Sequence, residues 1–153
     1  MSDVPGYYIE DRIEILGVKR LRETAKLPVY MKPGDTGMDV CTVEPQLLGP
    51  GERHVFRTGL AFVIPHGFGL EVRPRSGLAS RGVIAAFGTI DEGYRGEVCV
   101  TIINHGLVPI QIEVGDRIAQ LVFVPVWRPE LLELDELPTD TERGTAGFGS
   151  TGK

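Results

Sequence analysis

A chain of 153 residues with a formal net charge of −5 is long enough for one domain around one core, and it requires no second domain. The acidic balance excludes a broad basic surface for a nucleic acid backbone, so a phosphate ligand would have to be held locally. No apolar run has the length of a membrane span, and the N-terminus lacks the basic and apolar regions of a secretory leader. We therefore expect a soluble, cytoplasmic protein.

The composition also indicates the fold class. The 20 Gly and 11 Pro residues break the chain into short apolar runs, which is typical of an all-β domain with many short strands. Cys41 and Cys99 lie in apolar runs with no Cys or His at metal-binding spacing. We predict that both are reduced thiols in the core.

Alternating polarity predicts strands in the first half of the chain. Residues 13–21 and 68–73 each alternate, and residues 55–65 form either a strand pair or one long bent strand. Asp39 lies where a turn cluster passes into a further strand. Its carboxylate could bond nearby backbone amides or could have a functional role, and the residue types leave both open.

A change of period follows the strand that ends at Arg73. Ser76 is a good N-cap, residues 77–80 have the length of one or two helical turns, and Gly82 could end them. A helix start with free amides beside Arg75 could bind an anion, although a capped surface turn would have the same sequence.

The chain is organised around residues 88–97, which predict a tight hairpin with residues 83–87 and 97–104 as its arms. Its glycines are expected to take positive φ and to let a flat ligand lie against the backbone. Asp91 and Tyr94 beside that bare backbone suit the rim of a pocket. Taken alone, the same residues are ordinary turn chemistry.

The C-terminal half adds two strands and a tail. Residues 108–114 and 117–124 alternate or run apolar, and Gln120 in the second must either brace backbone or face a polar pocket. Residues 126–138 predict an edge strand or a short helical turn. Beyond them the apolar residues almost vanish, which predicts a mobile arm in which Phe148 could cover a flat ring.

Five segments together resemble the five motifs of the trimeric deoxyuridine triphosphatase (dUTPase) family. The resemblance implies an all-β, single-domain jelly-roll-type β-barrel with one short helix and a mobile C-terminal arm. It also implies a homotrimer that hydrolyses dUTP with Mg²⁺ to dUMP and pyrophosphate, which limits uracil in DNA and supplies dUMP for dTMP synthesis. The segments are residues 37–40, 73–79, 88–97, 115–121 and 143–152. The domain would be residues 1–138, including an N-terminal extension of residues 1–12, and the arm would be residues 139–153.

The resemblance further implies roles for individual residues. Asp91 would orient and deprotonate the water that attacks the α-phosphorus, and Tyr94 would lie against the deoxyribose. Backbone groups near Gly88 and Ile90 would read the uracil edge. The phosphates would be bound by residues of two further subunits, namely Arg75, Ser76, Gly77 and Gln120 of one, and Arg143, Ser150 and Thr151, with the stacking lid Phe148, of the other.

The same resemblance implies how the cofactor is held. Mg²⁺ would be bound mainly by the three phosphates and by water, with no direct protein ligand and with Asp39 at most in its outer shell. Neither a nucleic acid nor a membrane is implied as a partner.

One departure and two alternatives bear on the function. Many relatives carry an Asn that meets the base where this chain has Ala85, and residues 80–87 are short, so uracil reading would rest on backbone groups. A dCTP deaminase of the same fold would need a carboxylate near Thr101 to activate water at the cytosine ring. A regulatory, nucleotide-gated barrel that binds a protein partner is the other alternative.

Overall fold

The fold is built almost entirely from short β-strands. The computed structural model describes residues 14–142 and 144–145, in which there are eleven strands and one short helix. In chain order these are β1 (Gly17–Arg20), β2 (Gly37–Cys41), β3 (Gln46–Leu48), β4 (Arg53–Arg57), β5 (Leu60–Val63), β6 (Phe68–Arg73), α1 (Ser76–Ala79), β7 (Val83–Ala85), β8 (Gly88–Ile90), β9 (Cys99–Asn104), β10 (Ile110–Ile112) and β11 (Arg117–Pro125).

The strands form four sheets in which every pairing is antiparallel. The largest has the order β2-β11-β6-β8, the next is β4-β9-β7, and β1 pairs with β5 as β3 does with β10. Buried side chains from all four sheets form one hydrophobic cluster, which includes Phe56, Leu60, Leu70, Ile112 and Leu121. The chain therefore has the single core and the all-β character that its composition predicts. No helix in the described residues has the length and apolar character to cross a membrane.

Strand β9 shows why these residues adopt β-structure. Its buried side chains alternate with more exposed ones, the period that places one face of a strand on a core. The last buried residue, Asn104, is polar but fully bonded: its amide donates to the carbonyl oxygens of Leu48 at 3.0 Å and Val108 at 2.9 Å, and its oxygen accepts from the amide of Gly106 at 2.9 Å. A buried amide with these partners fixes the register of the loop that follows.

Residues 55–65 belong to two strands rather than to one bent strand. The chain passes between the sheets of β4 and β5 at Gly59, whose φ is 69°. A Cβ at Gly59 would also lie 2.8 Å from the Cβ of Ala25, so both conformation and space require glycine here.

The predicted tight hairpin is only partly correct. Strand β7 does pair with β9, but the chain then leaves that sheet and β8 pairs with β6 at the edge of the largest sheet. Gly88, Gly93 and Gly96 do not take positive φ, which contradicts the expectation for this stretch. At Gly96 the reason for glycine is space instead, because a Cβ there would collide with the ring of Tyr94.

Two other expectations are wrong. Residues 126–138 form neither a strand nor a helix, and several of their apolar side chains are exposed, with Leu131 at 97% and Trp127 at 89%. Cys99 is exposed and Cys41 is half-buried, so neither is a core thiol, although both are free. Partial burial raises the pKa of each thiol, which favours the neutral form.

Candidate active site

Asp91 lies on an exposed turn directly after β8. The amide of Tyr94 donates to the carbonyl oxygen of Asp91 at 3.0 Å, which closes a four-residue turn. The phenol of Tyr94 donates to the carbonyl oxygen of Glu97 at 3.0 Å, and Arg95 Nη1 donates to the carbonyl oxygens of Glu92 at 2.6 Å and Tyr94 at 2.9 Å. Side chains of the turn thus satisfy its own backbone, so the segment has a defined shape without belonging to a strand.

A pocket of about 290 Å³ opens beside this turn, lined by Thr89, Ile90, Asp91, Tyr94, Glu97, Val98 and Cys99. Its wall is anchored to the core, because the buried hydroxyl of Thr58 donates to the carbonyl oxygen of Val98 at 2.6 Å. Strand β8 on its other side is an edge strand, so one row of its backbone groups has no neighbouring strand in the described residues. The pocket therefore combines one free carboxylate, one aromatic ring and an accessible strand edge.

A second group of predicted residues meets across β2, β6 and β11. Gln120 of β11 lies directly opposite Asp39 of β2 on one side and Arg73 of β6 on the other. Side chains of directly opposed residues point to the same face of a sheet. The amide nitrogen of Gln120 donates to the carbonyl oxygen of Pro74 at 3.0 Å, so Gln120 both braces backbone and lines a polar groove.

Gly37 provides the room for that amide. A Cβ on Gly37 would meet Cδ of Gln120 at 3.0 Å and would displace the amide oxygen. Gly37 of the first motif and Gln120 of the fourth motif are therefore in direct packing contact.

The hydrogen bonds of the Asp39 side chain in the described residues are with arginines. Oδ1 of Asp39 accepts from Nε of Arg75 at 2.9 Å, and Oδ2 accepts from Nη2 of Arg75 and Nη1 of Arg117, each at 3.1 Å. Arg75 Nη1 also donates to the carbonyl oxygen of Arg117 at 3.1 Å. A bidentate pair of this kind holds a guanidinium in one orientation. Sequence reasoning missed Arg117, because its approach to Asp39 depends on the register between β2 and β11.

The start of α1 differs from the prediction by one residue. Arg75, in an extended conformation, occupies the N-cap position, and Ser76 is the first helical residue. The side chain of Arg75 has no acceptor atom and therefore cannot cap the helix, and its guanidinium is bonded to Asp39. The helix ends at Ala79 with Ser80 as its C-cap, so Gly82, which the sequence suggests as its end, lies two residues beyond the cap with a φ of 78°.

The polar groove next to this cluster has a volume of about 410 Å³, and a recess of about 150 Å³ lies beside it. Three cationic side chains and two carboxylates line the groove, so its charge is slightly positive within an acidic protein. The cationic residues are Lys32, Arg75 and Arg117, the acidic ones are Asp35 and Asp39, and Ser76, Gly77 and Gln120 contribute polar groups.

The predicted site residues thus lie in two places. Ile90, Asp91 and Tyr94 line the pocket at the turn. The groove and its recess are lined by Arg75, Ser76, Gly77 and Gln120, and the two cavities share no residue in the described part of the chain. Gly88, the first residue of β8, is a predicted site residue that lines neither cavity. The remaining four predicted site residues lie outside the described residues and are Arg143, Phe148, Ser150 and Thr151.

The described residues contain no cluster of three or more His, Cys, Asp or Glu side chains that could hold a metal ion. Asp39 has both carboxylate oxygens bonded to arginine. A cation here would depend on oxygen atoms that a ligand supplies, which suits a hard ion that retains its water.

Comparison with known sequences identifies relatives along most of the chain. Residues 23–152 match the family described as dUTPase. A deoxyuridine 5'-triphosphate nucleotidohydrolase of Leifsonia xyli subsp. xyli is 50% identical over 131 residues, which are 83% of this chain and 86% of that protein. The protein of the same name from Thermobifida fusca is 46% identical over 156 aligned residues, covering 99% of this chain and 85% of its own.

Solved structures agree with the sequence relatives. The dUTPase of Staphylococcus bacteriophage 80alpha with dUPNHPP superposes with a TM-score of 0.86 at 33% identity, covering 92% of this chain and 100% of the phage protein. A mutant dUTPase from phage phi11 of S. aureus, described with a structural Mg(II) ion, has a TM-score of 0.77 at 30% identity and covers 81% of this chain and 99% of its own. With its jelly-roll-type fold and these matches, the chain belongs to the dUTPase family.

Proposed function

We propose that the protein is a dUTP diphosphatase that hydrolyses dUTP to dUMP and pyrophosphate. The observation that carries this proposal is the pocket in which the Asp91 carboxylate and the Tyr94 ring lie beside a free strand edge, in a chain of the dUTPase family. The pocket is near the lower end of the usual range for small ligands, which suits a nucleoside.

The nucleoside half of the substrate would bind at the turn. Backbone groups of Gly88 and Ile90 at the edge of β8 would pair with the polar edge of uracil, and Tyr94 would lie against the deoxyribose where a 2′-hydroxyl does not fit. The tyrosine is held for this role because its hydroxyl bonds to Glu97 and its ring covers Gly96. A site that leaves polar groups unpaired with the wrong ligand rejects it strongly.

The triphosphate would bind in the polar groove of a second subunit. Arg75, held by Asp39, presents a guanidinium that is already oriented, and Ser76, Gly77 and Gln120 offer donors beside it. Arginine suits this role because its planar fork matches phosphate oxygens. The arm would add Arg143, Ser150, Thr151 and the ring of Phe148 from a third subunit.

Asp91 would act as the general base. Its exposed carboxylate accepts a proton from a water molecule, whose oxygen forms a bond to the α-phosphorus while the bond from that phosphorus to the bridging oxygen breaks. Pyrophosphate leaves with the electrons of that bond, and dUMP keeps the new oxygen. Bound Mg²⁺ would supply neutralising charge for the phosphate oxygens.

A homotrimer would bring the two halves together. In one chain the pocket and the groove share no residue within the described residues, which is what a site divided between subunits requires. Exposed apolar side chains such as Trp127 and Leu131 also offer surface that an assembly could cover. In this arrangement residues 1–138 form the domain, residues 139–153 form the arm, and the cytoplasmic enzyme limits uracil in DNA and supplies dUMP for dTMP synthesis.

The test is pyrophosphate release from dUTP, dCTP, dTTP and UTP in parallel, with and without Mg²⁺. We expect hydrolysis of dUTP alone, with its loss in the Asp91→Asn variant while dUTP still binds, because an amide accepts no proton. Ammonia release from dCTP would instead indicate a deaminase. Full turnover by Asp91→Asn would remove Asp91 as the base.

A further inference from the structure

We infer that Glu92 is a positioning residue, which fixes the turn of Asp91 by anchoring it to two other segments of the chain. The inference deepens the proposed function and rests on it, because it concerns the orientation of the proposed base. Glu92 is not among the site residues predicted from the sequence.

The contacts of the Glu92 carboxylate carry the inference. Oε2 accepts from the amide of Gly67 at 2.9 Å and lies 3.3 Å from Nη2 of Arg128, and Oε1 lies 3.1 Å from Nδ1 of His66. One side chain therefore joins the turn after β8 to the turn before β6 and to the segment after β11. Its side chain is 27% exposed, less than that of Arg128 at 53% or His66 at 92%.

The segments that Glu92 joins are themselves fixed. Gly67 has a φ of 86° in a turn closed by the amide of Phe68, which donates to the carbonyl oxygen of Pro65 at 3.2 Å. The carbonyl oxygen of Gly67 accepts from the amide of Val126 at 2.8 Å, so this turn is also bonded to the segment that contains Arg128. The backbone partner of Glu92 is thus itself held by hydrogen bonds within its turn and to the segment after β11.

The backbone of Glu92, like its side chain, makes a hydrogen bond that holds the turn. Its carbonyl oxygen accepts from Arg95 at 2.6 Å inside the turn, while its carboxylate is held outside it. The preceding residue is Asp91, whose own side chain has no such anchor among the bonds of the described residues. The position of Asp91 therefore depends on the backbone of the turn, and that backbone is held at the neighbouring Glu92.

The protonation state of Glu92 suits the role at neutral pH. The amide of Gly67, followed by His66, lowers the pKa of Glu92 below its usual value. The link is therefore complete above the unfolded-state pKa of a glutamate, and it is lost as the pH falls through the lower folded-state pKa. Assays near neutral pH measure the enzyme with the link intact.

Glu92→Gln and Arg128→Met test the link from its two ends. We expect kcat for dUTP to fall about tenfold in Glu92→Gln and by a smaller factor in Arg128→Met, with KM changed less, because a small misplacement of a catalytic group is costly. The double variant should be no worse than Glu92→Gln, since both changes break one connection. Glu130→Gln, an exposed carboxylate two residues beyond Arg128, is the matched control and should behave as wild type.

The pH profile separates positioning from simple charge effects. If Glu92 acted only through its charge, Glu92→Gln and Arg128→Met would shift the acidic limb of the kcat profile in opposite directions, because they remove opposite charges. Loss of the link instead lowers kcat in both variants. Wild-type kcat in Glu92→Gln, or opposite shifts without loss of kcat, would overturn the inference. Wild-type protein that releases no pyrophosphate from dUTP would refute the proposed function instead, so the two failures are distinguishable.

Discussion

The pairing of Asp39 with Arg75 and Arg117 makes a quantitative prediction about stability. In Asp39→Asn the side chain keeps its shape, but only one of its two terminal atoms can still accept a hydrogen bond. Its amide nitrogen then faces a guanidinium, donor against donor. The arginine that the proposed site uses for phosphate would lose the group that orients it.

The magnitude follows from the bonds that are lost and from their exposure. Asp39 is 14% exposed and Arg75 23%, so this pair retains much of the strength of charged hydrogen bonds, which are worth about 1.5–3 kcal/mol each. Arg117 is 45% exposed, and such a pair contributes only about 0–1 kcal/mol. Since Asn keeps one weaker bond, we expect the free energy of unfolding to fall by about 2–4 kcal/mol. For a chain of this size that lowers Tm by roughly 4–15 °C.

Calorimetric unfolding without nucleotide, at one fixed protein concentration, measures this change, because ligands and subunit association raise apparent stability. Glu71→Gln is the control, since it breaks the pair with Arg73, which is 42% exposed, and should cost less than about 1 kcal/mol. The KM for dUTP should also rise in Asp39→Asn. A Tm loss no larger than that of the control would refute the claim that Asp39 holds Arg75.

Three further predictions concern specificity, the arm and the core. Tyr94→Ala should admit UTP, since the pocket beside the ring then has room for a 2′-hydroxyl, and unchanged selectivity in a UTP assay would remove Tyr94 from the sugar site. Deletion of residues 143–153 should leave a folded trimer with poor dUTP hydrolysis, because only Ala146 and Phe148 among them are apolar; an unfolded product in circular dichroism would contradict that view. Asn104→Ala should lower the free energy of unfolding by about 2–4 kcal/mol in urea titrations, because two carbonyls and one amide lose their partner, and a change below about 1 kcal/mol would count against those bonds.

Local pattern was enough for much of the fold. Alternation predicted β6, the apolar run predicted β11, and the change of period after Arg73 predicted the short helix α1. These elements depend on side-chain periodicity and turn chemistry, which the sequence carries directly. The family resemblance was also carried by contiguous motifs, and the sequence and structure matches confirm it.

The predictions that were wrong concerned which strands pair with each other. Strand β8 pairs with β6 rather than continuing the hairpin, and no local signal distinguishes these partners. The bonds of Asp39 with Arg117 and of Glu92 with Gly67 likewise join residues far apart in the chain. Glycine was misjudged at position 96 for a related reason, because a tyrosine ring, and not the backbone dihedral angle, excludes a side chain there.

The contact between Gly37 and Gln120 has a consequence for how this protein can vary. The amide of Gln120 occupies the space that a side chain at position 37 would fill, so a replacement of Gly37 must displace that amide and with it the hydrogen bond to Pro74. A larger residue at position 37 therefore requires a shift of Gln120 or a smaller residue at position 120, so we expect substitutions at these two positions to be coupled.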